Sequence, residues 1–297
     1  MSRDRGYSSI AFVSGKGGVG KTTITANIAW LISVAPAHTL IIDLDFQNLG
    51  CTGLFASRQN LEESYTLALL RTNCEQENQP ILTRITEKLW FLPAAPITQT
   101  TEHIEFQNAF LGIPDDLYKR LDKLLSYLHE IFSIDFFVLD CHGGIDATSI
   151  AAAGVCDYTM VVTEADTVTF AGTLGLVDSY YSQYGSSDRK PRIEYIVNRI
   201  PPRYRWKYLD KLYREYLGKR LGQFTKSKSV LSYIPAERYL ADSFGDYPFQ
   251  VELAPSSLFA RKLKLILYSL FCDLHPDLLS IKMQKKYRIR LWHFKLL

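Results

Sequence analysis

The chain has 297 residues, 47% of them hydrophobic, and a formal net charge of +3 at pH 7. A large core can therefore be buried, and the small net charge by itself implies no acidic partner. The five cysteines include no C-x-x-C pair, and we find neither a secretory leader nor a run of about 20 apolar residues. These features argue against a disulfide framework, a zinc ribbon and a membrane span, and they favour a cytoplasmic protein.

Short apolar runs alternate with amphipathic segments along the chain. The predicted strands cover residues 9–14, 39–43, 89–93, 136–140, 158–163, 193–198 and 230–234. The predicted helices cover residues 21–34, 115–132, 147–155, 170–184, 204–221 and 256–272. Strands that are apolar at consecutive positions are typical of a parallel sheet covered on both faces. The pattern predicts a doubly wound α/β fold, with a mostly parallel sheet flanked by helices.

A glycine-rich loop follows the first predicted strand and precedes the first predicted helix. It contains the pattern G-x-x-x-x-G-K-[ST], in the strand-loop-helix context that this phosphate-binding motif requires. Glycines let the backbone wrap phosphates with its N–H groups, and the helix N-terminus adds partial positive charge. Lys21 is expected to reach the β- and γ-phosphates and Thr22 to bind Mg²⁺. The predicted nucleotide-binding residues of the loop are Gly15, Lys16, Gly17, Gly18, Val19, Gly20, Lys21, Thr22 and Thr23.

The segment from Ser14 to Thr23 resembles the deviant Walker A motif of the MinD/ParA ATPases, which are P-loop NTPases of the SIMIBI type. The deviation is an additional lysine near the start of the loop, Lys16. The resemblance implies binding of ATP and Mg²⁺, and a homodimer in which Lys16 of each protomer touches the nucleotide of the other. A cation supplied by a partner offsets negative charge on the phosphates. We expect an ATPase domain over residues 1–273 and a basic aromatic tail over 274–297.

Acidic residues end two of the predicted strands, at the edge where such sheets bind ligands. Asp43 and Asp45 stand in a segment similar to the D-x-D-P-Q motif of the family, except that Phe46 replaces the proline. The resemblance implies that Asp45 orients or activates the attacking water and that Asp43 supports the Mg²⁺ shell; acids that merely cap the next turn are the alternative. Asp140 ends an apolar run in a Walker B pattern and is expected to bind Mg²⁺ through water. Lys16, Lys21 and Asp45 are the expected catalytic residues.

Three further residues enter through the same resemblance. Asn198 ends a late strand where the family uses an asparagine to read the adenine edge. Pro235 stands in a segment that resembles the family's loop on the other side of the base. His142 lies where the family carries a nucleotide-sensing switch. It is an unusual residue there, with two interpretations: contact on the γ-phosphate side, or packing of the loop, which we favour.

Two basic segments are candidate interaction surfaces. Residues 203–220 combine Arg and Lys with Leu and Tyr at helical spacing, which fits either a solvated helix packed on the sheet or contact with the DNA backbone. Residues 282–297 combine six Lys or Arg with aromatic side chains and contain no acid. That composition suits contact with an anionic membrane, contact with protein or DNA, or packing on the parent domain.

The resemblance implies an ATPase that positions or partitions a cellular assembly. A protein partner would stimulate hydrolysis, and the protein would lie in the cytoplasm or peripherally on the inner membrane face or the nucleoid. Two alternatives stay open. A metallocluster carrier of the Mrp or nitrogenase-iron-protein type would need Cys141 and Cys156 at a dimer axis. A regulatory binding module would use ATP only as a switch.

Overall fold

The computed structural model describes residues 5–35, 37–58, 60–75, 79–97, 114–184, 192–200, 230–242 and 247–274. Its strands are β1 (Ser8–Ser14), β2 (Thr39–Asp43), β3 (Thr83–Arg84), β4 (Leu89–Leu92), β5 (Phe136–Gly143), β6 (Tyr158–Glu164), β7 (Arg192–Ile200) and β8 (Val230–Pro235). They form one sheet in the order β3-β4-β2-β5-β1-β6-β7-β8. Within these described ranges, the pairing of β3 with β4 is antiparallel and every other pairing is parallel.

Helices connect the strands and cover both faces of the sheet. They are α1 (Lys21–Ser33), α2 (Gly50–Ala56), α3 (Thr66–Arg71), α4 (Pro114–Phe132), α5 (Ala147–Val155), α6 (Thr167–Tyr184), α7 (Arg238–Asp242), α8 (Gln250–Leu253) and α9 (Leu258–Leu274). Among the helices described here, none is both long and apolar enough to cross a bilayer.

Two apolar clusters, one on each face of the sheet, form the core. Strand β1 shows how they arise, because successive side chains of a strand point to opposite faces. Ala11 and Val13 join the cluster that contains residues of α3, α4, α5 and α6. Ile10 and Phe12 join the cluster that contains residues of α1, α2, α8 and α9. A strand that is apolar at consecutive positions is therefore buried on both sides, as the sequence predicts.

The predicted doubly wound α/β fold is confirmed, and all seven predicted strands are present. The helix predicted over 204–221 and the basic segments 203–220 and 282–297 lie outside the described residues. Helices α2 and α3 were not predicted, because segments of 7 and 6 residues are too short for a helical period to be read. Strand β5 was predicted to end at Asp140 but continues to Gly143. This extension shapes the site described next.

Candidate nucleotide-binding site

The glycine loop joins β1 to α1 at the carboxyl edge of the sheet, next to β5. Gly18 and Gly20 have φ angles of 83° and 84°, in the left-handed region that other residues rarely adopt. Gly15 is needed for a different reason: a Cβ there would lie 2.0 Å from the backbone carbonyl carbon of Gly172 in α6. The loop therefore packs backbone against backbone on α6, and its shape depends on these glycines.

Asp140 gathers three side chains from the start of α1. Its Oδ1 accepts hydrogen bonds from Lys21 Nζ at 2.8 Å and Thr25 Oγ1 at 2.9 Å, and its Oδ2 accepts one from Thr22 Oγ1 at 2.7 Å. Burial alone would lower the pKa of Lys21, but the adjacent Asp140 carboxylate outweighs burial and raises it. A cation, a hydroxyl and a carboxylate thus meet under the loop. Thr25 was missed by the sequence analysis, although it lies one helical turn after Lys21.

A space suited to Mg²⁺ lies beside these groups. A Cβ added to Gly50 would lie 3.1 Å from Thr22 Oγ1, 3.7 Å from Asp45 Oδ2 and 3.8 Å from Asp140 Oδ2. Three oxygens therefore surround a volume that one methyl group would fill, and Mg²⁺ prefers oxygen ligands. Mg²⁺ also takes few protein ligands and completes its shell with water and phosphate oxygens. Accordingly, the described residues contain no cluster of three or more His, Cys, Asp or Glu side chains that could hold a metal.

Asp43 pairs in register with Asp140 on the neighbouring strand, but its own oxygens are engaged elsewhere. Oδ1 accepts from Asp45 N at 2.9 Å, and Oδ2 accepts from Thr52 N at 2.7 Å and Thr52 Oγ1 at 2.8 Å. Burial, followed by repulsion from Asp140, raises the pKa of Asp43 to about 7. Asp43 therefore fixes the loop that carries Asp45, and any support it gives to a metal shell passes through that loop.

Asp45 is held by residues from two loops. Its Oδ1 lies 2.9 Å from His142 Nδ1 and accepts a hydrogen bond from Asn48 N at 2.9 Å. Burial opposes ionisation of Asp45, but the hydrogen bond from His142 and that from Asn48 outweigh it and lower its pKa. The same contact with Asp45 is the main cause that raises the pKa of His142. Of the two interpretations of His142, the structure agrees better with packing of the loop. The residue against which His142 packs is Asp45, the candidate catalytic acid.

The carboxyl end of β7 holds the loop from the other side. Asn198 Nδ2 donates to Val19 O at 2.8 Å, and Arg199 donates to Gly18 O at 2.5 Å and to Glu164 Oε1 at 3.1 Å. Pro235 ends β8 and pairs with Ile200 of β7, at the same edge of the sheet. Arg199 and Glu164 were missed because no local pattern marks them.

Lys16 differs from Lys21 in its surroundings. It is exposed at the tip of the loop, whereas Lys21 is buried. No hydrogen bond or ion pair from the described residues holds its amine. Its charge is felt by Asp166 at the start of α6: burial opposes ionisation of Asp166, but hydrogen bonds from Thr169 and, less strongly, the charge of Lys16 lower its pKa.

The two cysteines proposed for a metallocluster lie in the core. Cys141 is 0% exposed and Cys156 is 3% exposed. Burial also raises the pKa of Cys141 well above its usual value, which disfavours the thiolate that binds metals. A cluster shared by two protomers needs thiolates at a surface, so this geometry argues against the carrier alternative.

Comparison with known proteins adds independent information. The sequence model of one family, AAA_31 (AAA domain), matches residues 7–183. The septum site-determining protein MinD of Thermotoga maritima is 26% identical over 196 residues, which are 65% of this chain and 64% of that protein. The flagellum site-determining protein YlxH of Helicobacter pylori is 23% identical over 280 residues, or 92% of this chain and 84% of that protein. The alignment with the MinD relative thus spans less than two thirds of its length.

Solved structures share the overall fold. The septum site-determining protein MinD of Pyrococcus horikoshii, complexed with Mg-ADP, matches with a TM-score of 0.66 and 19% identity. The match covers 93% of this chain and 100% of that chain. At this level of identity the likeness concerns the fold alone, so assignment of the site depends on the side chains described above.

Proposed function

We propose a function for this chain from the premise that it belongs to the MinD/ParA family of P-loop ATPases. It binds ATP with Mg²⁺, dimerises around two ATP molecules and hydrolyses them to position or partition a cellular assembly. The observation that carries this proposal is the joint contact of Lys21 and Thr22 with Asp140, under a loop whose Lys16 is exposed. The ATPase domain would span residues 1–273, followed by the tail 274–297.

Each group under the loop has a role in this proposal. Lys21 exchanges Asp140 for the β- and γ-phosphates, since both are anionic partners of a buried ammonium. Thr22 Oγ1 would hold Mg²⁺ directly, and Asp140 would hold it through water. When bound, Mg²⁺ neutralises phosphate charge. Asp45 orients the attacking water, and Asn198 Oδ1 accepts from the amino group of adenine, with Pro235 on the other side of the base.

The proposed dimer rests on Lys16. A cation whose amine has no partner among the described residues, at the mouth of a phosphate site, is suited to contact phosphates bound to a second copy. Such a contact stabilises charge in the transition state only when the dimer has formed. Hydrolysis would therefore be slow in the isolated chain and would respond to a stimulating protein partner that acts on the dimer.

The Mg²⁺ site can be tested at Gly50. Gly50→Ala should reduce by about tenfold or more the factor by which Mg²⁺ increases ADP affinity, because the added methyl group occupies the space where metal and water would lie. Titration of a fluorescent ADP analogue with Mg²⁺ measures this. The matched control is Gly53→Ala in the same helix, whose Cβ would meet no atom within 4 Å. Equal Mg²⁺ dependence in both variants would contradict the assignment.

The surface on which the protein acts can be tested by co-sedimentation. We expect ATP to increase binding to anionic liposomes or to DNA, because the basic segments 203–220 and 282–297 supply the charge that both surfaces attract. The comparison uses the full chain and a chain ending at Cys272, each with and without ATP, and phosphate release is followed in parallel. Liposome binding that survives truncation would contradict a membrane role for 282–297. ATP-dependent binding without phosphate release would favour the switch alternative.

The proposal also implies a location and a class of process. The protein would be cytoplasmic and would associate peripherally with the inner membrane face or with the nucleoid. The two relatives named above are a septum site-determining protein and a flagellum site-determining protein. We infer a positioning role of the same general kind for this chain, with a cargo that its own partner selects.

A further inference from the structure

His142 and Asp45 are 97 positions apart in the chain and meet at the edge of the candidate site. The Nδ1–Oδ1 distance is 2.9 Å, and the side chains are 21% and 8% exposed. The other oxygen of Asp45, Oδ2, is the one that lies beside Gly50 and the space assigned to Mg²⁺. The two oxygens of Asp45 therefore have different surroundings: one is occupied by His142, and the other is directed toward the site.

The hydrogen-bond partners fix the direction of this contact. An ionised carboxylate only accepts hydrogen bonds, so His142 Nδ1 must carry a proton to bond Asp45. The amide of Asn48 also donates toward Asp45, at 3.3 Å from Oδ1 and 3.4 Å from Oδ2. Its approach to His142 Nδ1 at 3.1 Å is then a contact between two donors. Both neighbours thus direct protons at the carboxylate.

The backbone around His142 is anchored to the phosphate loop. Gly144 N donates to Ser14 O at 2.9 Å. A Cβ on Gly143 would lie 2.6 Å from Gly17 Cα, so the two backbones touch. This anchoring is what extends β5 beyond Asp140. A displacement of the loop at Gly17 therefore displaces Gly143. The adjacent His142 links this backbone contact to Asp45.

We propose that His142 is the positioning residue of Asp45: its Nδ1–H occupies Oδ1 and keeps Oδ2 directed into the site, where Asp45 acts on the attacking water. The proposal rests on the hydrolysis proposed above. In this proposal His142 acts through the carboxylate of Asp45. The rate of hydrolysis depends on this bond, because a misplaced carboxylate no longer aligns the water for attack on the phosphate. Nucleotide binding does not depend on that alignment and stays intact.

Two substitutions separate the hydrogen bond from the bulk of the ring. His142→Phe keeps a ring without a donor, whereas His142→Asn keeps an N–H donor near the position of Nδ1. The matched control is His38→Phe, since His38 packs edge-on against Trp90 at the opposite end of β2, with ring centroids 5.3 Å apart. Single-turnover hydrolysis at saturating Mg-ATP, the KM for ATP and the melting temperature are measured for each, with Asp45→Ala as reference.

We expect His142→Phe to lower kcat by about 10- to 100-fold with KM changed by less than about threefold, and His142→Asn to recover most of the rate. His38→Phe should match the parent. Parent-like kcat in His142→Phe, or His142→Asn as slow as His142→Phe, overturns the positioning role alone. A parent that hydrolyses no ATP, or an Asp45→Ala variant as fast as the parent, contradicts the proposed function and the positioning role with it.

A spectroscopic readout is independent of turnover. Long-range ¹H–¹⁵N spectra of the histidine rings report which ring nitrogen carries a proton. We expect one ring, identified by its loss in His142→Phe, to show a protonated Nδ1 with and without Mg-ADP, and to shift in Asp45→Ala. A His142 ring that carries its proton at Nε2 alone overturns the proposal, because bare Nδ1 cannot donate to Asp45.

Discussion

Lys21→Ala is expected to lower the affinity for Mg-ATP by about 100-fold or more. The estimate corresponds to the loss of about 3 kcal/mol, the value of a hydrogen bond to a charged group at the upper end of its range. Lys21 is buried, and Asp140 holds its ammonium under the loop. Equilibrium titration with a fluorescent ATP analogue measures the loss. An affinity within about threefold of the parent would contradict the assignment of Lys21 to the phosphates.

The same substitution disturbs the folded state, and the two effects must be separated. Removing Lys21 leaves Asp140 buried without its cation, which costs about 3–5 kcal/mol for a pair of this kind. The double variant Lys21→Ala with Asp140→Asn removes the unpaired charge and should recover stability in a thermal melt without recovering ATP affinity. Lys123→Ala is the matched lysine control, because Lys123 lies on α4 and makes an exposed pair with Glu75, away from the site.

Lys16→Ala is expected to reduce hydrolysis by about 100-fold or more while ADP affinity stays within a few-fold of the parent. The analogous removal of a cation supplied by a partner costs about 10³–10⁵ in other P-loop enzymes. Because the Lys16 amine makes no hydrogen bond or ion pair with the described residues, loss of the side chain should leave the melting temperature nearly unchanged. Single-turnover phosphate release and ADP titration provide the two measurements.

A charge-preserving variant sharpens this test. Lys16→Arg keeps a cation of similar reach and should retain part of the rate, whereas Lys16→Gln keeps length without charge and should behave as Lys16→Ala. A Lys16→Gln variant with the rate of the parent would show that no charge at this position contributes to hydrolysis. Lys123→Ala again controls for the loss of one positive charge elsewhere.

The parts of the site that the sequence predicted are those set by contiguous residues. The loop from Gly15 to Thr23 can be predicted from the sequence, because consecutive residues form the whole phosphate-binding loop: a strand, glycines, a lysine, a threonine and a helix. The apolar run before Asp140 predicts a buried strand for the same reason. The parallel order of β2, β5 and β1 then brings Asp43, Asp140 and the loop to one edge of the sheet.

The parts that the sequence missed depend on tertiary contacts. His142 meets Asp45 only because β5 continues three residues past Asp140, and that extension is imposed by the contact of Gly143 with Gly17. Nothing in the sequence distinguishes Thr25 from the other threonines, and only the structure shows its hydrogen bond to Asp140. Asp43 was expected near the metal shell, but the fold of α2 places Thr52 against it, which no local pattern indicates.

Sedimentation velocity with a non-hydrolysable ATP analogue and Mg²⁺ tests the central claim, that a second copy of the chain completes the ATP site. One chain has a mass of 33.9 kDa. We predict that the parent sediments at twice this mass with the analogue and as a monomer with ADP, and that Lys16→Ala stays monomeric with either nucleotide although both are bound. A parent that remains at the mass of one chain when saturated with the analogue, or a Lys16→Ala variant that dimerises like the parent, would contradict the account.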